Sequence, residues 1–455
     1  MLSELSVKNY EEAERYLLEI PKFTSKNPLE ATRAFYQYLF SYALKGKSFE
    51  NKVIHIAGTN GKGSVCAYLN SILEQGGMRV GMFTSPHLVT MRERFKIAGK
   101  NVSEALFLEA LVWVREQLNK YREEKQISYE PTFFEMLFFM GVYLFTREAV
   151  DIILLETGLG GKLDATNVTS KPLLTIITEI GLDHMQYLGN TLSRIAGEKA
   201  GIIKHGVPVV YGMHNEEKKE ATAVIAEKAR SLEAVTYCIQ KDDIKGVNIG
   251  EKSIDFLVKS RYYDYIRLTV ATSALYQIEN AALAIRAVDA LQDIWKQRKT
   301  QNQISLDMIQ QGVLKMKWEA RMEEIMPDVY LDGGHNQDGV KAFLDTVTAR
   351  QQFHKEEDRN ILLFSAVNDK AYEEMIRMIA ESDLFDEIYL TSIPGMRGTA
   401  VEELRDTFKQ YTDQQIQIFK DVKQAWKECL ASKGDKDTVY VAGSLYLAGL
   451  IKELL

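Results

Sequence analysis

The chain has 455 residues, 46% of them apolar and 26% charged, and its 56 Lys and Arg against 63 Asp and Glu give a formal charge of −7. That balance excludes a disordered chain, allows two to four domains, and argues against a broad nucleic-acid or anionic-membrane surface. The three cysteines, Cys66, Cys238 and Cys429, form no CxxC pair, and no run approaches the roughly 18 apolar residues of a membrane span, so a soluble cytoplasmic protein is expected.

The opening segment, MLSELSVKNYEEAERYLLEI, is amphipathic and acidic, without the uninterrupted apolar core of a signal peptide. Buried strands are then predicted at KVIHIAG, RVGMFTS, VDIILLE, LLTIITEIG and VPVVYG, with helical patterns between several of them. Such alternation predicts a mostly parallel sheet flanked by helices. Residues 240–270 alternate apolar and polar and predict antiparallel strands. A polar, then helical stretch follows, and a second strand–helix series starts near Val329 with VYLDGG, NILLFSA, EIYLTSI, QIQIFK and TVYVAGS. The fold class is therefore α/β: an N-terminal P-loop-type domain over residues 1–316 and a smaller, Rossmann-like α/β domain over 317–455.

Gly58, Thr59, Asn60, Gly61, Lys62, Gly63 and Ser64 lie between the first strand and a helix. Glycines there let successive backbone N–H groups converge on phosphate oxygens, while the helix N-terminus and Lys62 add positive charge. The spacing departs from G-x-x-x-x-G-K-[ST]: the first glycine is four residues before the lysine, and Gly63 stands where Ser or Thr would follow. GTNGKGS instead resembles the Mur ligase superfamily and, within it, the bacterial-type folylpolyglutamate synthase/dihydrofolate synthase family.

Further stretches carry the resemblance along nearly the whole chain. Ser85, Pro86 and His87 in FTSPHL, followed by Arg92–Phe95, are similar to the family's mobile loop, whose serine helps hold Mg²⁺. Glu156 ends a strand and leads into TGLGGKLDATN, a position suited to Mg²⁺ because ligands gather at the C-terminal edge of parallel strands. By resemblance, His184 in GLDH completes a second magnesium site, and Lys199 in GEKAGI is the lysine that the family carbamylates. Gln277 and Asn280 match a Gln–Asn pair near ATP; Arg321 and Asp332 match contacts to the nucleotide phosphates and the nucleotide, and His335 a contact to the phosphate or the reacting carboxyl group. Pro-Gly, usual before that arginine, is Glu319-Ala320 here, and Asp332–Asn336 carries Gly334 for the family's alanine. Ser444, at a Gly-Ser turn, is a carboxylate-binding candidate, and Pro86 and His87 are further substrate-side candidates. The segment Glu19–Asn27 also resembles bacterial members.

The resemblance implies an ATP-dependent amide ligase that adds L-glutamate to a folate, and to dihydropteroate, through an acyl phosphate. Lys62, Lys199 and His335 would be catalytic, with two Mg²⁺ ions, a monovalent cation and a carbamate on Lys199. The expected partners are small molecules acting on a monomer, with no nucleic acid and no membrane. Another Mur-type ligase with a different acceptor, or more distantly a P-loop kinase or switch protein, are the alternatives.

Overall fold

The computed structural model describes residues 7–21, 28–212, 218–355, 357–368, 372–395 and 398–455; residues 22–27 of the Glu19–Asn27 segment lie outside them. Eight strands form the first sheet: β1 (Val53–Ala57), β2 (Val80–Phe83), β3 (Phe95–Ile97), β4 (Lys100–Asn101), β5 (Ile152–Glu156), β6 (Leu174–Ile177), β7 (Val209–Gly212) and β8 (Thr236–Ile239). Their order is β4-β3-β2-β5-β1-β6-β7-β8, parallel from β2 to β8, with β3 and β4 antiparallel at one edge. β1 and β5 are buried at every position, because helices cover both faces.

One face packs on the helices Lys62–Gln75 and Gln277–Gln297, and the other on Glu104–Lys125 and Phe133–Arg147. The last of these begins in a capping box in which Thr132 and Glu135 satisfy each other's backbone N–H groups. An antiparallel sheet of β9 (Ile244–Ile249), β10 (Ile254–Ser260) and β11 (Asp264–Val270), ordered β11-β10-β9, packs into the first core. This is the arrangement predicted for residues 240–270.

The third sheet comprises β12 (Glu323–Met326), β13 (Val329–Leu331), β14 (Asn360–Phe364), β15 (Glu387–Thr391), β16 (Ile416–Phe419) and β17 (Thr438–Ala442). Its order is β12-β13-β17-β14-β15-β16, parallel except for β12, and each face carries its own apolar core. The α/β class and both strand series match the sequence expectation. The additions are β3, β4, β8 and β12. β4 is exposed at both positions and β12 alternates half-buried with exposed, so neither carries an apolar run that would mark it. Among the described residues no helix is long and apolar enough to cross a membrane.

Candidate active site

The central position of β1 brings the loop after it to the C-terminal edge of the first sheet, where α/β folds bind ligands. Gly58 (φ 155°) and Gly61 (φ 83°) take backbone conformations that side chains rarely adopt. A Cβ at Gly58 would also lie 1.7 Å from Thr178 Oγ1, and one at Gly61 2.3 Å from Asn280 Oδ1. Neighbouring strand ends pin the loop: Thr59 N donates to Glu179 O (2.7 Å), and Thr178 Oγ1 donates to Asn60 O (2.6 Å). The helix starts at Lys62 with Gly61 as its cap, so its first-turn N–H groups open beside the loop.

Lys62 Nζ folds back over the loop, donating to Gly58 O (3.1 Å) and Thr59 O (3.0 Å), 3.9 Å from Glu156 Oε1. Glu156 is 3% exposed; burial raises its carboxyl pKa, while Lys62 and the Ser85 N–H, which donates to Oε2 at 2.9 Å, pull it back. Lys199, also buried, donates to Gly58 O at 2.7 Å. Burial, then the charge of Lys62, lowers its pKa from 10.5 to about 7. The loop thus sits over one buried carboxylate and two lysines, one of them easily neutralised.

A cavity of about 590 Å³ joins these groups to the second domain. Of the residues selected from sequence, Gly58–Ser64, Ser85, Pro86, His87, Glu156, His184, Lys199, Asn280, Arg321, Asp332 and His335 line it. Gln277 and Ser444 do not. Gln277 donates to Ser64 Oγ (3.3 Å) and accepts from Asn280 (3.1 Å), so it braces the helix behind the loop. Ser444 is a buried N-cap accepting from Tyr446 N (3.1 Å); its neighbours Leu445 and Tyr446 reach the cavity instead. His87 accepts from Arg94 Nε (2.8 Å), which ties it to that buried guanidinium.

The second domain meets the loop through the segment after β13. Asp332 is buried and accepts from Tyr276 OH (2.5 Å), Met322 N (3.0 Å) and Gly334 N (2.8 Å). Asn336 and Asn60 exchange amide hydrogen bonds of 3.1 and 3.3 Å, so the phosphate loop touches the other domain directly. Asp183 lies between His335 Nε2 (3.8 Å) and Asn336 Nδ2 (3.2 Å). Lys218 bridges Glu179 (2.6 Å) in the first domain and Asp338 (3.1 Å) in the second.

Sequence reasoning did not select Asp183, Arg94, Tyr276 or the Glu179–Lys218–Asp338 bridge. Asp183 and Arg94 stood inside motifs already marked, and that adjacency was their only signal. Leu18, Phe133, Phe134 and Leu163 also line the cavity, as do Thr32 and Glu135, which hydrogen-bond each other.

The Mur ligase middle domain matches residues 56–288, and the Mur ligase glutamate ligase domain matches 320–445. The dihydrofolate synthase/folylpolyglutamate synthase of Bacillus subtilis is 33% identical over 413 residues, covering 89% of this chain and 90% of its own. The folylpolyglutamate synthase of Lacticaseibacillus casei is 29% identical over 420 residues, covering 91% and 92%. Among solved structures, E. coli FolC in complex with DHPP and ADP superposes with a TM-score of 0.81 at 25% identity, covering 98% of this chain and 97% of that one. The apo form of L. casei FPGS gives 0.81 at 27%, covering 98% and 99%.

Proposed function

This chain belongs to the dihydrofolate synthase/folylpolyglutamate synthase family of the Mur ligases, and from that premise we propose how its cavity joins L-glutamate to a folate at the expense of ATP. The observation that carries the reading is the meeting of the loop Gly58–Ser64, with Lys62, Lys199 and Glu156, and the segment Asp332–Asn336 on one cavity. Both domains of one chain supply it, so a monomer suffices. The division near Met316 fits this reading, since the last strand before it ends at Val270 and the next begins at Glu323.

An acceptor carboxylate is a poor acyl donor because its leaving group would be oxide. Its oxygen attacks the γ-phosphorus, the bond from that phosphorus to the β-bridging oxygen breaks, and ADP leaves an acyl phosphate. The amine of glutamate, having lost a proton, then attacks the acyl carbon and expels inorganic phosphate. Phosphoryl transfer depends on placement and on neutralising charge. Lys62 and the first-turn N–H groups would receive β- and γ-phosphate oxygens, Arg321 and His335 would meet them from the other domain, and Asn280 and Asp332, which line the same cavity, would contact the nucleotide.

The donor set fits magnesium. Glu156 is a buried carboxylate whose nearest cation, Lys62, stands 3.9 Å away, Ser85 is held beside it by its backbone N–H, and His184 is partly exposed on the cavity wall. Among the described residues no three His, Cys, Asp or Glu side chains cluster as a metal cage, as suits an ion that keeps waters and binds through one or two carboxylates plus phosphates. When bound, Mg²⁺ would neutralise charge building on the phosphates. Lys199 supports a carbamate reading: a buried amine with a pKa of about 7 is substantially unprotonated near neutrality, and only the free amine can add CO₂. A monovalent cation has no comparable support here.

The apolar lining residues Leu18, Phe133, Phe134 and Leu163 suit a flat aromatic acceptor, in keeping with folate and with dihydropteroate. Glutamate-dependent ADP release, measured with folate and with dihydropteroate, tests the reading. ADP release that ignores glutamate would return the chain to the kinase or switch alternative, and glutamate-dependent release with neither acceptor would point to another Mur-type ligase.

A further inference from the structure

One fully buried titratable side chain lies outside this mechanism. His55 sits in the middle of β1, two residues before the phosphate-loop strand ends, in the run Val53-Ile54-His55-Ile56-Ala57. An apolar residue would complete that strand at lower cost, since burial of a polar ring is unfavourable unless its nitrogens are bonded. Only one is: Nε2 lies 2.8 Å from Thr166 Oγ1, while Nδ1 finds no partner among the described residues.

The direction of that bond follows from its neighbours. Thr166 Oγ1 donates its single proton to Asp164 Oδ1 at 2.5 Å, so toward His55 it accepts. His55 is therefore the neutral Nε2–H tautomer, and burial, which presses its pKa to about 3, keeps it neutral. Asp164 also takes Thr166 N (3.0 Å) on Oδ1, and Gly158 N (2.9 Å) and Leu159 N (2.9 Å) on Oδ2. All four of its strong acceptor directions are thus used to hold one turn. That turn starts two residues after Glu156, lines the cavity, and sets Asp164's negative charge close enough to act on Lys199.

We infer that His55 is a positioning residue: through Thr166 it fixes Asp164, and through Asp164 it holds the Gly158–Asp164 wall of the ligase cavity in its working geometry from beneath the phosphate loop. The inference takes the ligase reading as its premise. Its parts come from two segments 111 residues apart, and none of them belongs to the loop Gly58–Ser64.

The test uses the full-length chain and the variants His55→Leu, His55→Gln, Thr166→Val and the double variant His55→Leu/Thr166→Val. Each is measured for kcat, for KM with each substrate, and for thermal stability. His55→Leu is expected to be at least as stable as the parent, because it removes a buried nitrogen without a partner. It should nevertheless lose about tenfold or more in kcat/KM for the folate acceptor, the usual effect of removing a group that orients a site. KM for ATP should stay within about twofold. His55→Gln, whose amide can donate from nearly the same place, should recover most of that loss, and the double variant should be no worse than either single one. A folded His55→Leu with parental kcat/KM overturns the relay, and so does a double variant whose losses multiply. Should His55→Leu not fold, Thr166→Val decides: it removes the hydroxyl but keeps the shape, and parental kinetics in it overturn the inference. The parent chain's own glutamate-dependent ADP release is the control, because its absence would defeat the ligase reading itself.

Discussion

Replacing Lys199 by Met keeps the length and apolar stem of the side chain while removing the amine, and the consequence for stability can be worked from its surroundings. The unmodified amine has a pKa of about 7 in the fold, against 10.5 for an ordinary lysine, because it is buried and faces Lys62. Below pH 7 both folded and unfolded chains carry the proton, and the folded state bears the full penalty of a buried ammonium. Between about pH 7 and 10.5 the unfolded chain holds more protons than the folded one, so stability rises with pH. Integrating from pH 7 to 9 gives roughly 2 kcal/mol of stability gained by the parent relative to Lys199→Met. Chemical denaturation of both proteins in CO₂-depleted buffer, at half-unit pH steps, reads that difference directly. Parallel profiles would mean that Lys199 is not held near neutrality, and the physical basis for a carbamate would be gone. With labelled bicarbonate, the parent alone should add a carbamate carbon-13 resonance, and Lys199→Ala should be nearly inactive. A plain amine in fully active, Mg²⁺-ATP-bound enzyme would refute the modification.

Lys62→Ala removes the charge over the phosphate loop and should lower turnover by about 10³-fold or more; near-normal turnover in a folded variant would take the loop out of the mechanism. Glu156→Ala should shift the Mg²⁺ titration of activity to higher concentration without unfolding the chain, and an unchanged titration would reassign Glu156 to structure. Lys218→Ala leaves Glu179 and Asp338 facing each other across the domains. Unfolding free energy should fall by about 2 kcal/mol, less than for a fully buried pair because Glu179 keeps contact with water. A loss below roughly 0.5 kcal/mol would mark the bridge as a solvated surface pair.

The parts of this site that were legible in the sequence share a property: their chemistry needs contiguous residues. A phosphate loop must be built from neighbouring backbone amides, so strand, glycines, Lys62 and helix stand together, and the strand-end carboxylate Glu156 announces itself by ending an apolar run. Groups that work across distance left no such trace. Asn60 and Asn336 meet from 276 residues apart, and each reads alone as a polar residue in a turn. His55 looks like a core residue and Thr166 like part of a motif, because the hydrogen bond between them exists only once β1 lies beside the turn Ala165–Val168. Ser444 shows a second ambiguity: a Gly-Ser turn fits a carboxylate, but the same hydroxyl oxygen is equally suited to cap a helix, and here it accepts from Tyr446 N. The short edge strands β4 and β12 escaped because they bury almost nothing.

Dividing the site between two domains follows from the chemistry it must contain. An acyl phosphate is open to water as well as to the glutamate amine, so activation and attack gain from a cavity that closes around the intermediate. Several of the contacts that join the domains fall on the loop Gly58–Ser64 and the segment beside it. Asn60 of the loop pairs with Asn336, and Asp183, just beyond the strand that pins Thr59, faces His335 and Asn336. A nucleotide that orders the loop would therefore order the surface on which the second domain rests, and a second domain seated on that surface brings Arg321 and His335 toward the phosphates. Both effects act through the same few residues. Ordering by ATP and closure of the cavity are then coupled, so the nucleotide that activates the acceptor also favours the closed site in which glutamate attacks.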